Sequence, residues 1–402
     1  MGGWRLAAAG LFVGLLLGGI AVAEEPDETQ ARSEEENETG LGPSAAKVYA
    51  VDHGVSLGGY GEWLYQSFDS SLDDGTASGA IDSADYLRLV LYAGYKYNER
   101  VLFNSEIEYE HATTGEEGEV SVEFAYIDFL LRPAINVRTG LVLVPVGLIN
   151  EIHEPPTFLG ARRPLVERLI LPATWRELGG GVWGNAGPFS YRGYLTTSLD
   201  ASGFSADEGI RGGRQEGSEA AAEDLAVSGR LDFTGVPGLL VGVSFFTGDT
   251  GQAQAVGGVE VEGATTTLDA HLDWRWRALQ VRALAARVDV DDAESISTLV
   301  GETIGERMDG YYVEAGYDVF SHTRWNRQQL IPFARWESFD TQAEVPDALA
   351  ATVTGENDRE LITYGLTYLP IPQVAVKADF QDLDNEAGTG VDQFNLAVGF
   401  AF

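Results

Sequence analysis

The sequence predicts an all-β fold: a transmembrane antiparallel β-barrel of about sixteen strands whose long third loop folds into the lumen. Three observations point there. From residue 55 onward, segments of roughly ten to fourteen residues alternate apolar and polar side chains, the period of a strand with two unlike faces. The connections between these segments alternate between short and long. The final segment ends on Phe402, with Phe394, Leu396, Val398 and Phe400 on the same face.

The N-terminus stands apart from this pattern. Trp4 and Arg5 precede a mostly apolar run from Leu6 to Ile20, and Ala21-Val22-Ala23 fits the small-x-small rule for cleavage. Residues 1–23 are therefore expected to be an export signal, with Glu24 the first mature residue. An acidic tract follows, where a retained anchor would carry a basic flank. No later run approaches the ~18 uninterrupted apolar residues that a spanning helix needs. Residues 24–54, with Glu34, Glu35, Glu36 and Glu38, are expected to be an acidic, disordered periplasmic leader to a barrel covering 55–402.

Strands are placed near 55–68, 84–97, 100–111, 119–131, 135–147, 177–186, 188–199, 224–235, 239–248, 264–276, 278–290, 308–319, 328–340, 358–369, 372–383 and 390–402. In the second, Leu87, Leu89, Leu91, Ala93, Tyr95 and Tyr97 oppose Arg88, Val90, Tyr92, Gly94 and Lys96. In the segment 264–276, Leu268, Ala270, Leu272, Trp274 and Trp276 oppose Asp269, His271, Asp273 and Arg275. Alternation by itself fits a soluble sandwich as well as a membrane barrel. The connections separate the two. Short turns fall at 98–99, 132–134, 186–187, 235–238, 277 and 370–372, with a somewhat longer one at 320–327. Long loops fall at 69–83, 112–118, 148–176, 200–223, 249–263, 291–307, 341–357 and 384–389. Short periplasmic turns and long outer loops organise outer-membrane barrels, and an even strand number leaves both termini periplasmic. The expected surroundings are bacterial outer-membrane lipid and lipopolysaccharide. Phe402, closing an alternating last strand, resembles the terminal signal read by the barrel-assembly machinery.

Composition narrows what such a barrel can do. Lys and Arg total 26 against 62 Asp and Glu, a formal net charge of −36. Nucleic-acid binding needs basic patches to displace counterions, so that class is excluded. With no cysteine, disulfides, thiol nucleophiles and thiolate metal sites are excluded too. His153 and His271 stand at no ligand-like spacing, and no nucleophile motif or phosphate-cradling glycine loop occurs. No metal, cofactor or reaction centre is expected. A barrel of about sixteen strands is wide enough for an aqueous channel, whose chemistry lies in the residues lining it.

Two sets of residues could line it. The strand parity turns inward Arg88, Lys96, Arg138, Arg275 and Arg335 together with Glu106, Glu108 and Glu337, most of them expected to pair across neighbouring strands. The stretch from Pro145 to Gly184 supplies the rest. It holds Pro155, Pro156, Pro164 and Pro172, too many for a central strand or a long helix. It also carries Ile152, Phe158, Leu165, Leu169 and Trp175, more apolar surface than a solvated loop bears. Folded into the lumen, it would narrow the pore with Arg162, Arg163, Arg168 and Arg176 among Glu151, Glu154 and Glu167. Arg168 and Arg176 suit pinning the loop to the wall; Arg162 and Arg163, beside Gly160, suit the tip and contact with solute.

The same block carries a resemblance. Pro145 and Gly147, Glu151, the Glu167-Arg168 pair, and Trp175-Arg176-Glu177 running into Gly179–Gly181 look like the phosphate-selective porin O and P family of outer-membrane channels. The resemblance implies a sixteen-stranded, trimeric channel for small, often anionic solutes, constricted by its third loop. The chain departs from it in having only three lysines, Lys47, Lys96 and Lys377. With the loop's charges near balance, weak ion selectivity is expected. The resulting expectation is a porin for passive diffusion of small hydrophilic solutes or ions; the alternative is a plugged barrel with a structural or adhesive role.

Overall fold

In the computed structural model, which describes residues 40–113 and 118–402, sixteen strands close into a single antiparallel barrel. Residues 1–39, with the expected export signal and most of the expected leader, lie outside the described residues. The wall begins with β1 (Gly54–Phe68), β2 (Ser83–Asn98), β3 (Val101–Glu110), β4 (Val120–Arg132) and β5 (Ile135–Leu143). It continues through β6 (Arg176–Ala186), β7 (Phe189–Thr197), β8 (Leu225–Val236) and β9 (Leu239–Gly248). A small hairpin, β10 (Ala255–Val256) and β11 (Val259–Glu260), stands outside the wall. The wall resumes with β12 (Thr265–Trp276), β13 (Leu279–Val290), β14 (Arg307–Tyr317) and β15 (Gln329–Glu344). It ends with β16 (Asp358–Ile371), β17 (Val374–Asn385) and β18 (Gln393–Ala401).

Each wall strand pairs with its neighbours in sequence, β9 passing directly to β12, and β18 closes on β1. Phe402 takes part in the closure: its amide donates to Gly59 O at 2.8 Å, and Gly59 N donates back to Phe402 O at 2.9 Å. The rings of Phe400 and Phe402 lie over Gly61 and Gly59, where a Cβ would meet them at 2.7 and 2.8 Å. Glycine at those two positions is what lets the terminal aromatics lie flat on the outer wall.

The expected faces are the observed ones. Leu268 is 50% exposed and its neighbour Asp269 6%; Leu91, Val243 and Val313 share the outward face with Leu268. A continuous apolar belt of this kind would be an aggregation surface in water, whereas in a bilayer it is the lipid-facing side. The barrel therefore spans the bacterial outer membrane.

Inside, apolar clusters occupy part of the barrel. Under the outer halves of β8–β15 sits an apolar core of Val146, Val166, Ile170, Trp175, Phe246, Val288, Ile296 and Phe339, built from the wall and the loops that fold over it. A second cluster, with Tyr60, Tyr92, Phe124, Tyr126 and Tyr194, lines β1–β7.

Three expectations need correction. The fifth strand ends at Leu143, not 147, because Pro145 has no donor for a further ladder bond and Gly147, at φ +67°, turns the chain inward. The loop 291–307 is not irregular throughout: Ala293–Val300 forms a helix, closed by Gly301 in the left-handed conformation. The described end of the expected leader, residues 40–54, is ordered. Leu41, Ala45, Ala46 and Val48 are buried inside the barrel, and Lys47–Ala50 forms one helical turn. These few small apolar residues follow a long acidic run, which masked them in a reading by composition.

Candidate functional site

The candidate constriction is the segment 144–175, and its construction starts at its base. Val144 N donates to Trp175 O at 3.0 Å, and Asn150 clamps both ends, donating to Val144 O at 2.6 Å and accepting from Trp175 N at 2.6 Å. Trp175 packs on Phe246 with ring centroids 4.4 Å apart. At Gly147 the chain crosses to the far wall, its amide donating to Asp269 at 3.0 Å and its carbonyl accepting from Arg230.

The tip is tied to β15–β18. Lys377 Nζ donates to Gly160 O at 2.9 Å and lies 3.6 Å from the centre of the Phe158 ring. Asp379 accepts from Ala161 N at 2.5 Å, and the Thr367 hydroxyl donates to Leu159 O. On the return limb, Glu337 accepts from Val166 N at 3.1 Å, where the chain makes a π-type turn over Val166–Ile170. Arg211 and Arg214, from the loop 200–223, donate to the carbonyls of Arg168 and Thr174 at 3.1 and 2.7 Å. Backbone groups of an irregular segment at membrane depth must find partners, and the inward side chains supply them.

The loop's charges divide into two groups. Glu151, Glu154, Glu167 and Arg176, expected at the constriction, are all buried. Glu151 pairs with Arg192 and Arg230 at 3.1 and 3.7 Å. Glu154 accepts from Ser44 N and Ala45 N at 2.8 and 3.1 Å. Glu167 accepts from Ile149 N at 2.5 Å and from the Tyr312 hydroxyl at 2.6 Å, and burial holds its carboxyl above the usual range. Arg176, already on β6, pairs with Glu123 and Glu216, each at 2.8 Å. These four are fasteners, sunk into the wall because each answers a buried donor or charge.

Arg162, Arg163 and Arg168 remain partly exposed in the lumen. Arg168 meets Glu208 at 3.1 Å with both side chains 38% exposed. Arg163 donates to His153 O at 3.2 Å and has no carboxylate partner among the described residues. The Arg162 guanidinium makes neither a hydrogen bond nor an ion pair among the described residues. Burial, then the neighbouring Arg168 and Arg88 charges, push its pKa down to about 10, which still leaves it charged at neutral pH.

The wall residues named from the strand parity are partnered. Arg88 bridges Glu62 and Glu108 at 2.8 and 3.0 Å. Arg138 holds Asp128 at 2.9 Å and stacks 4.0 Å over Tyr126. Arg335 joins Glu314 and Glu337 at 3.1 and 2.8 Å, Arg275 reaches Asp273 at 3.3 Å, and Lys96 donates to Tyr49 O at 2.9 Å. Glu106 faces His153 Nε2 at 3.1 Å. The parity of β1 and β4 turns Glu62 and Asp128 inward as well. Glu123 was not legible: a bulge opposite Glu106 and Ile107 turns both Glu123 and Phe124 inward, against the alternation.

His153 makes the loop acid-sensitive. Burial first, and the Arg163 charge next, lower its pKa from 6.5 to about 4, while Nδ1 faces Asn150 O at 2.8 Å. A group whose folded pKa is depressed binds its proton more readily in the unfolded chain, so stability is full above about 6.5 and falls toward about 4. The expected result is that thermal unfolding of His153→Gln loses part of the wild-type decline across this window. Parallel pH profiles of the two proteins would contradict it.

Sixteen closed strands, an apolar belt, and a third loop lodged in the lumen define an outer-membrane porin barrel. No family model matches the chain. It is 37% identical over 382 residues to an uncharacterized protein of Aquifex aeolicus (strain VF5), covering 90% of this chain and 83% of that one. The chain belongs to the same family as that protein.

Among solved structures, OmpF of Salmonella typhi, in complex with daunomycin, superposes with a TM-score of 0.57 at 12% identity, over 87% of this chain and 98% of the other. An anion-selective porin from Comamonas acidovorans gives 0.55 at 13%, over 87% and 99%. The in-vitro folded trimer form of Vibrio cholerae OmpT gives 0.51 at 10%, again over 87% and 99%. At these identities the likeness is one of fold. It carries the resemblance seen in the sequence to outer-membrane porins as a class, and no further toward the phosphate-selective group.

Proposed function

We propose that the protein is a non-enzymatic outer-membrane diffusion channel for small hydrophilic solutes and ions, narrow, and favouring anions at its constriction. One observation carries the anion preference. The carboxylates of the constriction loop are spent on fastening it, while the Arg162 guanidinium stands unpaired beside Arg168 and Arg88. Charge balance counted along the loop suggests weak selectivity; charge counted by who has a partner favours anions, since arginine in a pore attracts them.

Narrowness is supported by the burial of inward side chains on nearly every strand, from Glu106 on β3 to Asn395 on β18. The same burial would also be required of the second reading, a barrel held closed in a structural role, which no other observation favours. A trimer is the proposed assembly, in keeping with the trimer form among the porins of similar fold.

Planar-bilayer recording tests all of this. Purified protein is expected to give small ohmic steps and, in a salt gradient, a reversal potential of the sign that marks anions. Steps with a cation-selective reversal would remove the role given to Arg162. An absence of conductance from correctly folded barrels would favour the closed reading.

A further inference from the structure

We infer that residues 40–52 form a built-in plug, a segment of the chain that docks inside the barrel beneath the constriction loop and closes the periplasmic exit along β1–β7. The inference rests on the reading of the barrel as a channel.

The segment is held as a ligand is held. Ser44 N and Ala45 N donate to Glu154 of the constriction loop at 2.8 and 3.1 Å. Asn104 donates to Ala45 O at 2.9 Å. Tyr49 donates to Asp128 at 2.6 Å and accepts from Arg138 at 2.8 Å, while Lys96 reaches Tyr49 O at 2.9 Å. Leu41, Ala45, Ala46 and Val48 are buried between these contacts.

The wall is shaped to receive it. Gly58 and Gly94 both face inward, at positions where alternation would put a side chain. A Cβ on Gly94 would meet Val48 Cγ2 at 2.6 Å, and one on Gly58 would meet Ser44 O at 2.9 Å. Neither glycine is required by a left-handed backbone. Glycine weakens a strand interior and often marks a place where another segment approaches closely. The segment is complementary in turn: at Gly42 a Cβ would stand 2.5 Å from Glu154 Oε1.

Besides the aromatic cluster around Tyr92 and Tyr126, the segment covers polar groups of the wall. Asn104, Asp128, Arg138 and Lys96 would line a water-filled vestibule on this side of the barrel if it withdrew. Its buried apolar side chains are few and mostly small, and it joins β1 through the short stretch before Gly54. Release therefore needs no strand to unpair, as expected of elements drawn from the low-stability end of a fold.

The test uses the full chain. Gly94→Val adds a strand-favouring residue to β2 but displaces Val48, so the barrel is expected to fold, checked by its heat-modifiable migration, with the plug expelled. Single-channel conductance is expected to rise several-fold over wild type. The absence of native cysteine permits a second measurement. Val48→Cys is expected to resist a bulky maleimide in the otherwise wild-type barrel, and to react when combined with Gly94→Val or with Glu154→Gln.

Ready labelling of Val48→Cys alone, or an expelled segment with unchanged conductance, would overturn the inference. A silent wild-type protein alongside a conducting Gly94→Val protein would support it, and would identify the plug as the reason for the silence. A folded, labelled Gly94→Val barrel that is as silent as wild type would overturn the plug and count against the channel reading together.

Discussion

Replacing Arg162 with alanine is expected to lower the anion-to-cation permeability ratio by at least about fivefold, and Arg162→Glu to reverse the selectivity. The size follows from Coulomb's law. Two unit charges ~4 Å apart interact by about 1 kcal/mol in bulk water, a factor of about five in an equilibrium, and by more at the lower effective dielectric of a protein surface. The Arg162 guanidinium has no ion-pair partner among the described residues; Arg168 and Arg88 nearby are of the same sign and add to its field, and the more weakly acting Glu62 and Asp379 offset part of it. Arg162→Lys should keep most of the preference, since a point charge suffices where no bidentate partner is engaged. The effect should weaken in high salt as the field is screened. Reversal potentials that are the same for wild type, Arg162→Ala and Arg162→Glu would place the ion path elsewhere.

Arg335→Leu is expected to be among the most destabilising single changes in the barrel. Its guanidinium is wholly buried between Glu314 and Glu337, and Glu337 in turn accepts from Val166 N of the constriction loop. Removing one member of a buried pair strands the other charges, which costs about 3–5 kcal/mol. Unfolding midpoints in denaturant should fall accordingly. Channel recordings should become noisier, because the same change frees the return limb of the loop. The double variant Arg335→Leu with Glu337→Leu should recover part of the loss, as the stranded charge is removed with its partner. Arg287→Ala, which breaks an exposed pair with Asp309, serves as the control and should leave the midpoint unmoved. A midpoint for Arg335→Leu as high as that control would show that the pair does not hold the loop.

The sequence by itself determined the wall. A strand's side chains alternate with period two whatever surrounds it, so the lipid belt of Leu91, Leu268 and Val313, and the inward set of Arg88, Asp269 and Glu314, could be read from residue order alone. The sorting of short and long connections gave the membrane orientation, because each outer loop is free in length while each periplasmic turn is not. The proline-rich block 145–175 was recognisable as a loop with too much apolar surface for solvent, which placed it in the lumen.

Tertiary structure alone decided which charges are held by buried partners and which stay open to the lumen. Glu151, Glu154, Glu167 and Arg176 lie among Arg162, Arg163 and Arg168 in sequence, and nothing in their order separates them. Their partners do: Arg230, Tyr312, Ser44 N and Glu123 come from distant parts of the chain. A buried charge is held only by what approaches it in space, and that approach is a property of the closed barrel. The same reason hid the segment around Val48. Its few apolar residues gain a place to bury only once Gly58 and Gly94 stand opposite them on a curved wall.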